Sequence, residues 1–366
     1  MKIECLKEKL HIAVGKAEKV ASKNITLPVL SCLLFETKKN VLIIRSTNLD
    51  LGLEITIPVK VEEEGKVAVP AQIISSFLNN LSDDKNIKLE TSENILKIYS
   101  SNSEVNIKTF PIDDFPTIPM IDEGKIFKIN SKDFLNGAKS VIYSASTSTI
   151  KPELSSVYIH SEDENIVFVA TDSFRLAEKK IKTRKIIDIS GVLIPFKNIS
   201  DILKIIDNLD EEIEINCAKN QISLTFNGVY IVSRVIDGVF PDYKQILPKE
   251  YKTDVIILKQ DLINSLKISN IFSDNFNQVN INVIPGSENI EIKTKNSNIG
   301  ENTNKIEAKI EGDGININFN YKYIIDSLAS IPSDSVSLMF NGLNKPMVIK
   351  GVSDKTFTYL IMPMNR

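Results

Sequence analysis

The residues in this sequence best placed to do chemistry are two pairs of adjacent carboxylates, Asp83-Asp84 and Asp113-Asp114. Such pairs hold a divalent cation or divide general acid from general base work. Both pairs sit beside loop-forming residues and read more simply as solvated turns. Asp172 and Arg175, within Ala170-Thr171-Asp172-Ser173-Phe174-Arg175-Leu176, are spaced for an ion pair, but no nucleophile or base accompanies them. Only two histidines are present, His11 and His160, so neither a histidine metal centre nor a triad is expected. Gly15-Lys16, Gly65-Lys66 and Gly124-Lys125 lack the rest of a phosphate-binding loop. There is no GxGxxG after a strand pattern, no HExxH, no CxxC and no GxSxG. No cofactor and no metal are expected, and the chain reads as a scaffold or binding protein, not an enzyme.

The elements that would position any site repeat themselves. Helix-like stretches open three units spaced by about 125 residues. They are Leu6 to Val14, Phe134 to Val141 and Leu262 to Ile268. A second helical stretch begins after Pro70, Pro195 and Asn320. Phe115-Pro116 and Phe240-Pro241 close the first two units, and Met362-Pro363-Met364 closes the third. In the first helix, expected over Leu6 to Ser22, Leu6, Leu10, Ala13, Ala17 and Val20 share a stripe at helical spacing. Lys9, Lys16, Lys19 and Lys23 fall outside it. A solvated lysine face and a wall lining a surface common to stacked modules are both open readings.

The remainder alternates at period two, as in Ile55-Thr56-Ile57, Ile87-Lys88-Leu89, Ile213-Glu214-Ile215 and Val336-Ser337-Leu338. Each unit is expected to hold two helices and about eight short strands, in an α+β fold with two antiparallel sheets and the helices on one side. The units divide as residues 1–122, 123–248 and 249–366. The joining segments are short and contain proline, so the modules should be held firmly. Polar Ser287 to Asn304 reads as a mobile hairpin tip.

The chain of 366 residues is 42% hydrophobic and 25% charged, an ordinary soluble mixture. No apolar run is long enough for a membrane span and no signal peptide is read at Met1-Lys2-Ile3-Glu4-Cys5. Cys5, Cys32 and Cys217 are scattered and read as buried, reduced thiols of a cytoplasmic protein. A net charge of −3 argues against a surface that grips DNA everywhere, but not against positive charge gathered on one face.

An ordered set of segments resembles the bacterial DNA sliding clamp family, the β subunit of DNA polymerase III. These are Thr26-Leu27-Pro28-Val29-Leu30, Ala170 to Ala177, Phe240-Pro241-Asp242-Tyr243, Phe319-Asn320-Tyr321-Lys322-Tyr323 and Tyr359-Leu360-Ile361-Met362-Pro363-Met364. The resemblance spans the whole chain. It implies three similar domains per chain and a head-to-tail homodimer closed into a ring, with helices lining the hole. Twelve helices at roughly 8–10 Å spacing give a circle of roughly 30–38 Å through their axes. Subtracting one helix thickness leaves a bore of roughly 20–28 Å, and duplex DNA is about 20 Å across. Such a ring would hold double-stranded DNA topologically, without sequence preference, and slide because each contact is weak and screened. Lys9, Lys16, Lys19, Lys23, Lys139, Lys151 and Lys197 are expected to face the DNA; Lys197 and the loop near Lys151 are carried by the resemblance, Lys9 to Lys19 by helix geometry.

The resemblance also implies an apolar cleft between domains 2 and 3 that takes short peptides from the replicative DNA polymerase, the clamp loader and other proteins with the clamp-binding motif. The matching positions are Leu154, Thr171, Ser173, Phe174, Arg175, Leu176, Pro241, Ile246, Asn320, Tyr323, Leu360, Met362, Pro363 and Met364. Methionine at such a surface suits several related ligands. Two positions depart from the family: Phe174 stands where His is frequent and Gln245 where some members carry Arg. The dimer seam is expected to set Val105 and Ile107, on an edge strand, against Ile271 and Phe272. Two other readings stand beside the ring: a hydrolase with a site assembled between units, and a monomeric peptide-binding adaptor.

Overall fold

The structure is a computed structural model and describes residues 1–21, 27–81, 85–183 and 189–364. Asp83, Asp84, Lys23 and Thr26 lie outside the described residues. Among the described residues six α-helices occur where the repeat places them: α1 (Lys7–Glu18), α2 (Ala71–Asn80), α3 (Ser131–Lys139), α4 (Phe196–Ile205), α5 (Lys259–Ile271) and α6 (Tyr321–Leu328). Helix α1 ends short of the expected Ser22 but runs through Gly15, and it buries Leu10, Ala13, Val14 and Ala17. The helix-opening signals hold as well. Pro70 and Asn320 stand at the N-caps of α2 and α6; the Asn320 side chain accepts from a free amide of its helix, whereas Pro70 makes no side-chain cap.

The residues gather into two compact units, Met1–Leu135 with Lys197–Val235, and Asn136–Phe196 with Ile236–Arg366. The first contains a five-stranded and an eight-stranded antiparallel sheet, the second one twelve-stranded sheet. The sheets do not stop at the repeat boundaries, as separate two-sheet modules would require. Leu51–Pro58 of the first repeat pairs with Val229–Arg234 of the second, with Leu53 opposite Ile231. Arg175–Lys182 of the second pairs with Phe357–Ile361 of the third, with Ala177 opposite Tyr359. An exposed strand edge presents unpaired amides and carbonyls, and a neighbouring repeat satisfies them.

Register makes the equivalence of the repeats explicit. Ile3, Leu89, Ile98 and Val105 lie across one sheet in one row. Phe127, Ile215, Leu224 and Ile231 form the second such row. Val255, Leu338, Ile349 and Tyr359 form the third. Nearly all these side chains are buried, so the period-two alternation is the core face of each sheet.

Ser287 to Asn304 is mostly paired strand. Asn289–Asn296 and Gly300–Gly312 form a long hairpin, and only Ser297 to Ile299 turn. Ile290, Ile292 and Thr294 are buried along one face, which anchors a segment whose other face is polar. All three cysteines are buried free thiols. Burial pushes those of Cys5 and Cys217 up to about 12, which keeps them protonated and unreactive.

Candidate docking surface and its surroundings

The site forms at a hairpin tip in the second unit. Strands Asn165–Thr171 and Arg175–Lys182 are joined by a turn that the side chains themselves tie down. Thr171 Oγ1 donates to the Arg175 carbonyl at 2.7 Å and accepts from the Ser173 amide at 3.2 Å. Asp172 Oδ1 accepts from the amides of Phe174 and Arg175 at 2.9 and 3.0 Å. Ser173 is held at φ +78°, a left-handed conformation that costs a residue with a Cβ roughly 1–2 kcal/mol. The result is that Phe174 stands out of the tip, 63% exposed. A twin turn occurs in the first unit, where Thr47 Oγ1 donates to Leu51 and accepts from the Leu49 amide, both at 3.0 Å, and Leu49 has φ +80°.

The last strand of the chain runs beside the tip, with Leu176 opposite Leu360 and Arg175 opposite Ile361. Beyond it the Met362 amide donates to the Phe174 carbonyl and the Met364 amide to the Asn318 carbonyl, each at 2.8 Å. Met362, Pro363 and Met364 are therefore docked and half-buried.

Leu176 and Leu360 belong to one buried cluster with Val167, Val169, Leu193, Phe240, Tyr243 and Val348, and Met362 packs against it. Tyr158 stacks on Phe240, with ring centres 4.8 Å apart, and on His160 at 4.9 Å. The Tyr243 hydroxyl donates to Glu178 Oε2 at 2.7 Å and lies 3.2 Å from His160 Nε2. Burial, reinforced by Glu178, drives the Tyr243 hydroxyl far above its ordinary range. Burial lowers His160, so the ring stays neutral. On either side of Tyr243 the chain exposes Pro241 and Ile246, and Gln245 turns to Asp242 at 2.8 Å.

The expected ion pair is present: Arg175 Nε meets Asp172 Oδ2 at 2.9 Å. A second carboxylate, Asp326, takes Nη1 at 2.7 Å, and the Tyr323 ring centre lies 4.4 Å from the guanidinium. Burial lowers the guanidinium pKa, but Tyr359, Asp326 and Asp172 more than offset it, so it is raised. Asn320 caps α6, accepting from the Lys322 amide at 2.9 Å. Leu154 is buried in a turn whose backbone bonds Lys151 and Ser146. The tip, the tail, α6 and the Pro241–Ile246 stretch are thus joined in one unit. Phe240, Tyr243, Tyr158, His160 and Glu178 were not assigned to the site from sequence, although Phe240 and Tyr243 stand in the Phe-Pro-Asp-Tyr segment and His160 is one of two histidines.

Of the lysines, Lys9, Lys19, Lys139, Lys151 and Lys197 are exposed. Lys16 is half-buried with its ammonium 5.5 Å from the Phe226 ring centre, and burial lowers its pKa. Lys19 Nζ donates to the Lys204 carbonyl at 2.5 Å, at the C-terminal turn of α4, where a cation is favoured. Ile107 is buried and Val105 half-buried on Glu104–Lys108, the outermost strand of its sheet. Ile271 is 63% exposed, and Phe272 is half-buried. Among the described residues, no cluster of three or more His, Cys, Asp or Glu could hold a metal, and no helix is long and apolar enough to cross a membrane.

Comparisons with known proteins agree along the whole chain. A beta sliding clamp of Staphylococcus epidermidis is 28% identical over 356 residues, with 94% of each chain covered. A DNA polymerase III beta subunit structure from Thermotoga maritima superposes with a TM-score of 0.95 at 26% identity, covering 100% of this chain and 99% of that one. A DNA polymerase sliding clamp structure from Bacillus subtilis gives 0.94 at 26% identity with the same coverage. Family models for the DNA polymerase III beta subunit match residues 1–119 as its N-terminal domain, 128–242 as its central domain and 244–365 as its C-terminal domain. The chain belongs to the DNA polymerase III beta subunit family.

Proposed function

We propose that two copies of this chain close a ring around duplex DNA and tether the replicative polymerase to it, as a non-catalytic processivity factor in the cytoplasm. One observation carries the reading. Both joins between repeats follow one rule: a row ends at Ile231 or Tyr359 and continues into Leu53 or Ala177 of the preceding repeat. The row ending at Val105 has no such partner among the described residues, and neither does the matching edge in the third repeat, Gly300 to Glu307. Ile44–Ile55 and Ile292–Asn304 are equivalent pairs, which places Asn302 at the position of Leu53. The rule, continued between two chains, sets Val105 opposite Asn302 and Ile107 opposite Gly300. A Cβ on Gly300 would stand 3.9 Å from the Phe272 ring, so a partner strand at the bare glycine meets that ring directly. Two such joins related by a two-fold axis close the assembly.

The three domains are read as 1–122, 123–248 and 249–366. Exposed Lys9, Lys151 and Lys197 are the stronger candidates for the DNA-facing wall, and Lys139 is exposed as well. Lys16 and Lys19 are engaged within their own unit. Phe174, Met362 and Met364, with the Leu176–Leu360 floor, form the docking surface for peptides of the polymerase, the clamp loader and other motif-bearing partners. The decisive experiment is retention on DNA. The loaded protein should stay on a nicked circle and leave when the circle is linearised. Equal retention on both would mean ordinary affinity and overturn the ring. Ile271→Ala/Phe272→Ala should sediment as a monomer.

A further inference from the structure

Behind the exposed Pro241 and Ile246 lies a chain of polar groups that is one proton short. Strand Ser156–Glu162 carries Tyr158 and His160 on one face. The Tyr158 ring stacks on both Phe240 and His160, with ring centres 4.8 and 4.9 Å away. His160 Nδ1 lies 3.2 Å from the Ser161 carbonyl, and Nε2 lies 3.2 Å from the Tyr243 hydroxyl. That hydroxyl lies 2.7 Å from Glu178 Oε2. Three contacts need three hydrogens. A neutral imidazole supplies one and the tyrosine hydroxyl another. One contact therefore sets two acceptors against each other, whichever tautomer the ring adopts. An imidazolium supplies the missing hydrogen and makes all three.

The charges around the ring are mixed. Glu162, on the same strand, pairs with Lys180 at 3.1 Å and Lys244 at 2.6 Å. Glu178 and Lys180 face the ring from Arg175–Lys182, and Lys244 from the turn Tyr243–Gln245. The other adjoining strands, Asn165–Thr171 and Val192–Pro195, bring no ionisable side chain. Burial and Lys244 oppose the charge, whereas the Ser161 carbonyl, Glu162 and Glu178 favour it, and burial prevails. The proton therefore goes on below the ordinary histidine value of 6.5. Tyr243 sits at the middle of the exposed stretch. Its amide donates to the Pro241 carbonyl at 2.7 Å and its carbonyl accepts from the Ile246 amide at 3.0 Å. Fixing its hydroxyl thus fixes the residues on either side.

We propose that His160 is a positioning residue of the docking surface, and that the proton it takes up completes the chain from Ser161 to Glu178, holds the Pro241–Ile246 stretch in place and tightens peptide docking. The inference rests on the docking reading above. His160 itself touches no peptide; it acts through Tyr243. In the neutral form the mismatched contact leaves the stretch less firmly held, so the surface spends part of its binding energy on ordering it.

The test is peptide binding as pH falls from about 8 to about 5, across the histidine range. The probe is a Gln-x-x-Leu-x-Phe peptide without groups that titrate there. Wild type should bind roughly two- to ten-fold more tightly at the acid end, the worth of one hydrogen bond. By linkage the bound peptide should raise the His160 pKa to match, read from the ring protons by NMR. His11 is the only other histidine, so His11→Gln assigns the signals. In His160→Gln and Tyr243→Phe the pH dependence should vanish. If either variant does not fold, the wild-type NMR titration with and without peptide still decides. Binding that is flat across the range, a His160 pKa unmoved by peptide, or a pH dependence that survives in His160→Gln overturns the proposal and leaves the docking reading intact. A peptide that binds at no pH removes the docking reading, and this inference with it.

Discussion

Arg175 and Asp326 meet at 2.7 Å, and the same guanidinium lies over Tyr323 and bonds Asp172. Asp172 belongs to the hairpin tip, whereas Tyr323 and Asp326 belong to α6, so one side chain fastens two walls of the proposed docking surface. Lysine keeps the charge but loses the planar fork that reaches both carboxylates. Arg175→Lys should cost about 1–3 kcal/mol in urea unfolding and weaken peptide binding at the same time. An unmoved unfolding midpoint would show the contact to be incidental.

The chain end is the second test. Met362 and Met364 are held by backbone hydrogen bonds to the tip and to a neighbouring strand. A fluorescent peptide of the Gln-x-x-Leu-x-Phe type should bind with low-micromolar affinity or weaker, and removal of residues 362–366 should abolish that binding while the core remains folded. Undiminished binding by the truncated chain would place the peptide elsewhere.

Acid stability should carry the signature of Glu36. Its side chain is buried beside Arg45, Lys66 and Lys38. Burial alone would raise its pKa, but hydrogen bonds from these three cations hold it down at about 2. A carboxylate with a depressed folded pKa contributes fully above the ordinary value of 4.5 and loses that contribution as pH falls toward about 2. The contribution is on the order of 3 kcal/mol at most, because Lys38 and Lys66 remain half in solvent. Thermal melts of Glu36→Gln should be lower at neutral pH and flatter between pH 4.5 and 2. A parallel acid limb in wild type and variant would refute the assignment.

Leu49 is a large residue held at φ +80° and 45% exposed. Little apolar burial is lost when it is removed, and glycine adopts that backbone without strain. Leu49→Gly should stabilise the first unit by up to about 1 kcal/mol in chemical denaturation. A loss of stability would mean that the leucine side chain has a packing role its exposure does not suggest.

Much of this was legible beforehand. Three similar units, six helices and the alternating strands follow from local patterns, because burial imposes a period on each element. The resemblance singled out the Met-Pro-Met ending, which backbone hydrogen bonds tie to the hairpin tip and to a neighbouring strand. What local pattern does not carry is pairing between distant strands: nothing near Leu53 announces Ile231. The Tyr158, His160, Tyr243 and Glu178 network was hidden for the same reason, since its members come from three separate stretches. The polarity of residues 287–304 suggested looseness because the buried isoleucines on its other face weigh little in composition. Spacing puts Lys16 and Lys19 off the apolar stripe of α1, but it does not carry their contacts with the Phe226 ring and the Lys204 carbonyl, which come from far along the chain.

The continuation of one sheet from Leu51–Pro58 into Val229–Arg234 means that the peptide backbone is not the only thread running through the first unit. A protease cut within residues 111–117 would sever the covalent path and leave the backbone lacing intact. The two fragments should co-purify under native conditions and part only in denaturant, which makes this stretch a natural place to open new termini or insert a reporter.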